Sequence, residues 1–115
     1  MAVVQSVEAD GTWVRIKFAG EIDVDATDLI RQTVDGAVAD NADAKLVELD
    51  VADATLIDST GVGTFVSVHR GLAERGVRVL VTNPVKIVER VMRVTGVHEM
   101  LTGTDVTVRR RRSGR

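Results

Sequence analysis

Between Lys45 and Thr95 the spacing of the apolar residues changes character from segment to segment, with a loop or a glycine at each change. Lys45 to Val51 is a strand rich in Leu and Val. From about Ser59 to Arg75, Val62, Phe65, Val66, His69, Leu72 and Ala73 recur at helical spacing. Val77 to Thr82 is a strand again, apolar almost throughout, as expected of one buried on both faces. Asn83-Pro84 then reads as an N-cap and first helical residue, and the helix to about Thr95 turns Val85, Val88, Val91 and Met92 inward. Gly76 and Gly96 stand where the two helices should stop. Strands alternating with helices imply parallel pairing through right-handed crossovers.

A different pattern precedes this one. Val3 to Glu8 is a short strand candidate followed by an Asp10-Gly11 turn signal. Thr12 to Ala19 alternates, with Val14, Ile16 and Phe18 on one face and Arg15 and Lys17 on the other. Trp13 falls on the Arg15 side, where it is expected to be partly exposed. Gly20-Glu21-Ile22-Asp23 ends this hairpin, and a helix follows from about Asp25 to Asp40. Its buried stripe is Ala26, Leu29, Ile30, Thr33, Val34, Ala37 and Val38. Residues 97–108 carry no clear period; Val106 and Val108 suggest a short strand or an irregular end. The expected fold is α/β, a mixed four- or five-stranded sheet that opens with a β-hairpin and has helices mainly on one face. One domain over 1–108 and a basic, disordered tail over 109–115 complete it.

Charge and composition narrow the function classes. Residues 1–108 carry ten basic and seventeen acidic residues, a net charge of −7, whereas five arginines crowd the last seven positions. An acidic body does not favour nucleic acid, whose affinity rests on neutralising phosphates. The chain has no cysteine, which removes disulfides, thiolate nucleophiles and Cys-ligated metals. No apolar run approaches the roughly 20 residues of a membrane helix, and no leader pattern opens the chain. A cytoplasmic protein without a membrane or nucleic-acid partner is expected.

The chemistry concentrates at Asp58-Ser59-Thr60-Gly61-Val62-Gly63, where a strand-like run meets a helix. As a hydrolase nucleophile Ser59 lacks a legible His-Asp pair, and His69 is ten residues further along the same helix. His98 reads as a loop residue. Gly61-x-Gly63 lacks the third glycine of a dinucleotide fingerprint and the Gly-Lys-Ser/Thr ending of a phosphate loop. Asp50, Asp53 and Asp58 have the oxygen ligands of a Mg²⁺ site, but read more simply as a strand end, a turn and a cap. A phosphoaspartate receiver site needs acids after its first strand, and Phe18-Ala19 supplies none. Two readings stay open: a hydroxyl that caps the helix, or a hydroxyl that is modified where backbone donors receive the anion.

Gly20-Glu21-Ile22-Asp23, Leu49-Asp50-Val51 and Asp58-Ser59-Thr60-Gly61-Val62-Gly63, with Asn83-Pro84 opening the next helix, resemble the STAS domain family. The resemblance runs from about Val3 to Leu101 and is strongest to stand-alone bacterial anti-sigma factor antagonists. It implies partner switching. The unphosphorylated antagonist binds an anti-sigma factor, a serine kinase of the GHKL type, and so frees a sigma factor. The kinase, using ATP and Mg²⁺, phosphorylates the serine that matches Ser59, with Thr60 the rival acceptor; a phosphatase of the PP2C type reverses the step. The chain would then be a substrate and regulator, not an enzyme, with no cofactor or metal of its own. The phosphate would weaken binding through repulsion from Asp58 and an acidic partner surface. The implied partner-binding residues are Glu21, Asp23, Asp25, Asp53, Asp58, Ser59, Thr60, Gly61 and Val62, on a surface made of the Gly20–Asp25 segment, the Asp50–Ile57 loop and the helix start. A non-phosphorylated scaffold subunit of a lipid-transport ATPase complex is the alternative that the family allows. Relatives commonly end in an amphipathic helix, where this chain has Val106-Thr107-Val108 and arginines.

Overall fold

The computed structural model describes residues 1–103. Strand β1 (Val3–Ala9) and strand β2 (Trp13–Ile22) form the antiparallel hairpin. Asp10 organises the turn: its Oδ1 accepts from the backbone N–H groups of Thr12 and Trp13, both at 2.9 Å, and from the Thr12 hydroxyl at 3.0 Å. These donors favour the carboxylate, so Asp10 titrates below its ordinary range, the Thr12 amide contributing most. Gly11 supplies the positive φ of +94°.

Beyond the hairpin come α1 (Thr27–Asp40), β3 (Leu46–Ile57), α2 (Ser59–Ala73), β4 (Arg78–Thr82), α3 (Lys86–Val94) and α4 (His98–Thr102). The sheet has four strands in the order β1-β2-β3-β4, with β2, β3 and β4 parallel. Val14 and Ile16 of β2 stand in register with Val47 and Leu49 of β3, and these with Val79 and Val81 of β4, while Phe18 continues the same face of β2 opposite Val4 of β1. All of these are buried. Ile30 and Val34 of α1, Phe65 and Leu72 of α2, and Val88 and Met92 of α3 complete the core. The other face of β2 keeps Trp13, Arg15 and Lys17 half-buried, with the Arg15 guanidinium 5.3 Å from the Trp13 ring centroid and 2.9 Å from Glu48.

Several elements depart from the sequence reading. Strand β2 continues past Ala19 to Ile22, and β3 runs to Ile57 through the stretch Ala52–Ile57 expected as a loop. Ala and Asp are poor strand formers, but the two extensions pair with each other, Ala19 against Asp53 and Ile22 against Ile57, with register shifts on the way. Tertiary pairing overrides propensity there. Strand β4 buries only Val79 and Val81 and alternates like β2, because one face of it is covered and not both. The helix expected from Asp25 begins with a 3-10 turn at Val24–Ala26. Asn83 has φ +57° and does not cap; α3 starts at Lys86 after Val85. His98 opens α4 instead of lying in a loop. The expected end strand around Val106–Val108 and the arginine tail lie outside the described residues.

Candidate functional site

Parallel strands β2, β3 and β4 deliver their carboxyl ends to one end of the sheet, the usual place for a site in an open α/β fold. Here β2 ends in Glu21-Ile22-Asp23 and β3 in Leu56-Ile57-Asp58. Glu21 is in register with Leu56, and the Asp58 N–H donates to the Ile22 carbonyl at 3.3 Å. Two segments far apart in sequence therefore meet before α2 begins.

Asp58 is the N-cap of α2, extended at φ −113° and ψ −177°, and its Oδ1 accepts from the Gly61 N–H at 2.9 Å. The Asp58 carbonyl accepts from the Val62 N–H at 3.0 Å. Capping therefore belongs to the carboxylate, not to Thr60 or Ser59. Both hydroxyl residues are exposed in the first turn of α2, and neither side chain has a hydrogen-bond partner among the described residues. The first N–H groups of the helix lack intrahelical acceptors, and the positive end of the macrodipole lies at Ser59. Gly61 packs so closely on β2 that a Cβ would enter the Ile22 carbonyl. Gly61 and Val62 are buried and shape the turn from beneath.

The remaining acids divide into two groups. Asp23 caps the 3-10 turn, accepting from the Asp25 N–H at 3.1 Å, while Asp25 and Glu21 are exposed. Glu21 accepts from the Met1 ammonium at 2.7 Å, which holds its carboxyl below the ordinary range and raises the ammonium. With Asp58 these give this end of the sheet an acidic rim. Asp53, by contrast, lies within β3, four residues before Ile57 and so about 13 Å down the strand at roughly 3.3 Å per residue. It pairs with Lys17 at 3.5 Å. Asp50 is buried with its Oδ1 accepting from the Ala52 N–H at 2.9 Å. Of the three Asp residues weighed as Mg²⁺ ligands, Asp50 and Asp53 thus lie along β3 and Asp58 at the start of α2, each engaged locally. Asp53 is a strand residue in place of the expected turn. Among the described residues no group of three or more His, Asp or Glu side chains has the placement to hold a metal ion.

Sequence reasoning missed the apolar part of the site. Val24 is 62% exposed between Asp23 and Asp25, and Leu56 is 39% exposed opposite Glu21. The signal available was Val24 itself, an aliphatic residue between two acids and ahead of the buried stripe of α1. His69 lies more than two turns along α2 beside a cavity lined also by Leu80 and Met100, away from Ser59.

The STAS domain family model matches residues 4–110 of the 115. The chain belongs to the STAS domain family. Its fold is similar to that of the anti-sigma factor antagonist SpoIIAA in its unphosphorylated form, at 26% identity and a TM-score of 0.70 over 84% of this chain and 83% of that one. An anti-sigma factor antagonist from Mycobacterium paratuberculosis shares the fold at 18% identity, a TM-score of 0.71 and coverage of 88% and 83%. So does the Bacillus cell fate determinant SpoIIAA in its phosphorylated form, at 23% identity, a TM-score of 0.65 and coverage of 87% and 88%. None of the curated proteins matches the sequence. Among the described residues no helix is long and apolar enough to cross a membrane.

Proposed function

We propose that this STAS domain is an anti-sigma factor antagonist that works by partner switching, and that Ser59 is the residue through which it is switched. In its unphosphorylated form it binds an anti-sigma factor of the GHKL serine-kinase type and so frees a sigma factor. The kinase phosphorylates Ser59 from ATP and Mg²⁺, and a PP2C-type phosphatase restores the binding form. The chain is acted upon and catalyses nothing itself, and it operates in the cytoplasm, where the kinase finds ATP.

The observation that carries this reading is the division of labour at the start of α2. Asp58 caps the helix, which leaves the neighbouring Ser59 hydroxyl exposed and without a structural task. Likeness to an antagonist over most of the chain points the same way. Phosphorylation adds a charge of about −1.5 to −2 at neutral pH. The unsatisfied N–H groups of the first turn favour an anion there, so the fold need not change. That SpoIIAA has this fold both with and without phosphate supports the point. The cost falls on the complex. Exposed Val24 and Leu56 offer the partner an apolar contact at this end of the sheet. A phosphoserine at the start of α2 adds bulk and negative charge, which an acidic partner surface facing Ser59 repels. A penalty of about 3 kcal/mol lowers affinity by roughly 10²-fold.

Incubation of the chain with the candidate anti-sigma kinases of its genome, ATP and Mg²⁺, followed by intact mass and peptide mapping, tests the reading. One phosphate on Ser59 is expected, with none on Thr60. Ser59→Ala should bind the kinase like the unmodified protein, and Ser59→Glu roughly 10²-fold more weakly. Equal affinities for the two variants would defeat the switch.

A further inference from the structure

Thr64 is 3% exposed and, with Asp50, one of two buried polar residues among the described residues. A hydroxyl has one proton to give. That of Thr64 goes to the carbonyl of Thr60, one turn earlier in α2, at 3.0 Å. The Thr27 hydroxyl oxygen lies 3.1 Å from the same Thr64 oxygen. With the Thr64 proton already committed, Thr27 is the donor in that pair. The bonds then run in one direction, from the Thr27 hydroxyl to the Thr64 hydroxyl to the Thr60 carbonyl.

This chain joins two parts of the rim. Thr60 lies in the first turn of α2, beside Ser59. Thr27 is the first residue of α1 and also closes the 3-10 turn, its backbone N–H reaching the Val24 carbonyl. Val24 and Asp25 are therefore tied to the acceptor turn through two side chains 37 residues apart in sequence. Packing does not demand a hydroxyl at 64. Valine is close to threonine in size, and a Thr hydroxyl bonded back to the carbonyl four residues earlier slightly weakens and bends a helix. What the hydroxyl contributes is a fixed relation between α1 and α2, in a dry setting where successive hydrogen bonds polarise one another.

We infer that Thr27 and Thr64 are a positioning pair, which holds the Val24–Asp25 segment and the Ser59 turn as one docking surface for the anti-sigma kinase. The inference deepens the antagonist reading, and its kinetic half rests on that reading. Neither residue touches the reacting atoms, so their effect falls on how well the chain docks.

Thr64→Val removes both hydrogen bonds while nearly keeping the volume. In that variant, hydrogen exchange at the Ala26 and Gly61 amides should lose protection about fivefold, the equivalent of one net hydrogen bond. With the kinase, ATP and Mg²⁺, the KM for Ser59 phosphorylation should rise about fivefold at unchanged kcat. Thr64→Ser should restore both values, and Thr27→Val combined with Thr64→Val should be no worse than Thr64→Val alone. A lower melting temperature with Ala26 exchange and KM untouched would overturn the pairing, and so would effects of the two substitutions that multiply. If Thr64→Val fails to fold, Thr27→Val at the half-buried end carries the same measurements. If the unsubstituted chain takes no phosphate, the antagonist reading falls, while exchange at Ala26 still decides whether the pair couples the two segments.

Discussion

Helices α2 and α3 both leave the same end of the sheet, each after a parallel strand, yet they begin by different means. Helix α2 begins with a capping carboxylate, Asp58, bonded to the Gly61 N–H. Helix α3 begins after Val85, which makes no side-chain cap and instead packs on the core. Its first two residues are Lys86 and Ile87, a cation and an exposed aliphatic. Those of α2 are Ser59 and Thr60. A helix start fixed by packing has no need of polar residues, and Lys86 at the positive end of the dipole is mildly unfavourable. A helix start fixed by a cap frees the residues that follow it for another purpose. Of the two, α2 alone combines a side-chain cap with exposed hydroxyls beside N–H groups that are still free to receive an anion.

Five substitutions can break or sharpen that contrast. The largest effect belongs to Gly61, whose Cβ would enter the Ile22 carbonyl. Gly61→Ala should cost about 3 kcal/mol in denaturant unfolding, since backbone on both sides cannot yield. Two residues on, a Cβ at Gly63 meets nothing, so Gly63→Ala should stabilise by up to about 1 kcal/mol. Equal effects at the two glycines would mean that α2 is not held against β2 as described. Next comes the cap. Asp58→Ala should cost about 1 kcal/mol, whereas Val85→Asp should give no net gain, because the cap it offers is offset by the apolar contact it removes. A Val85→Asp protein that melts higher than the parent would show that packing does not fix the start of α3. The smallest effect concerns charge: Lys86→Glu should stabilise by about 0.5 kcal/mol at low salt and by less at high salt. No change with ionic strength would remove the dipole from the comparison.

Much of this was legible before any coordinates. The hairpin and its Asp10-Gly11 turn, the alternation along β2, the three long helices and their main buried residues follow from period and turn chemistry. So does the Asp58–Gly61 junction, because a polar, glycine-containing stretch between an apolar strand and a helical stripe has few uses. Less legible was whatever depended on a distant partner. Ala52–Ile57 looks like loop because Ala and Asp carry little strand preference, and it becomes strand only because β2 extends alongside it. Asn83-Pro84 looks like a cap and first turn; the chain instead turns at Asn83 with a positive φ and lets Val85 reach the core.

Sequence by itself determined the order and type of most elements, the segregation of acids from arginines, and the place where a hydroxyl could act. Those depend on local propensity and on the period of side chains, which each segment carries within itself. Tertiary structure alone decided that Asp53 stands within a strand away from Ser59, and that Val24 and Leu56 are open to solvent. It alone also brought Thr27 to Thr64. These depend on register and close approach between segments far apart in the chain, where a backbone carbonyl such as that of Ile22 decides what can sit next to it.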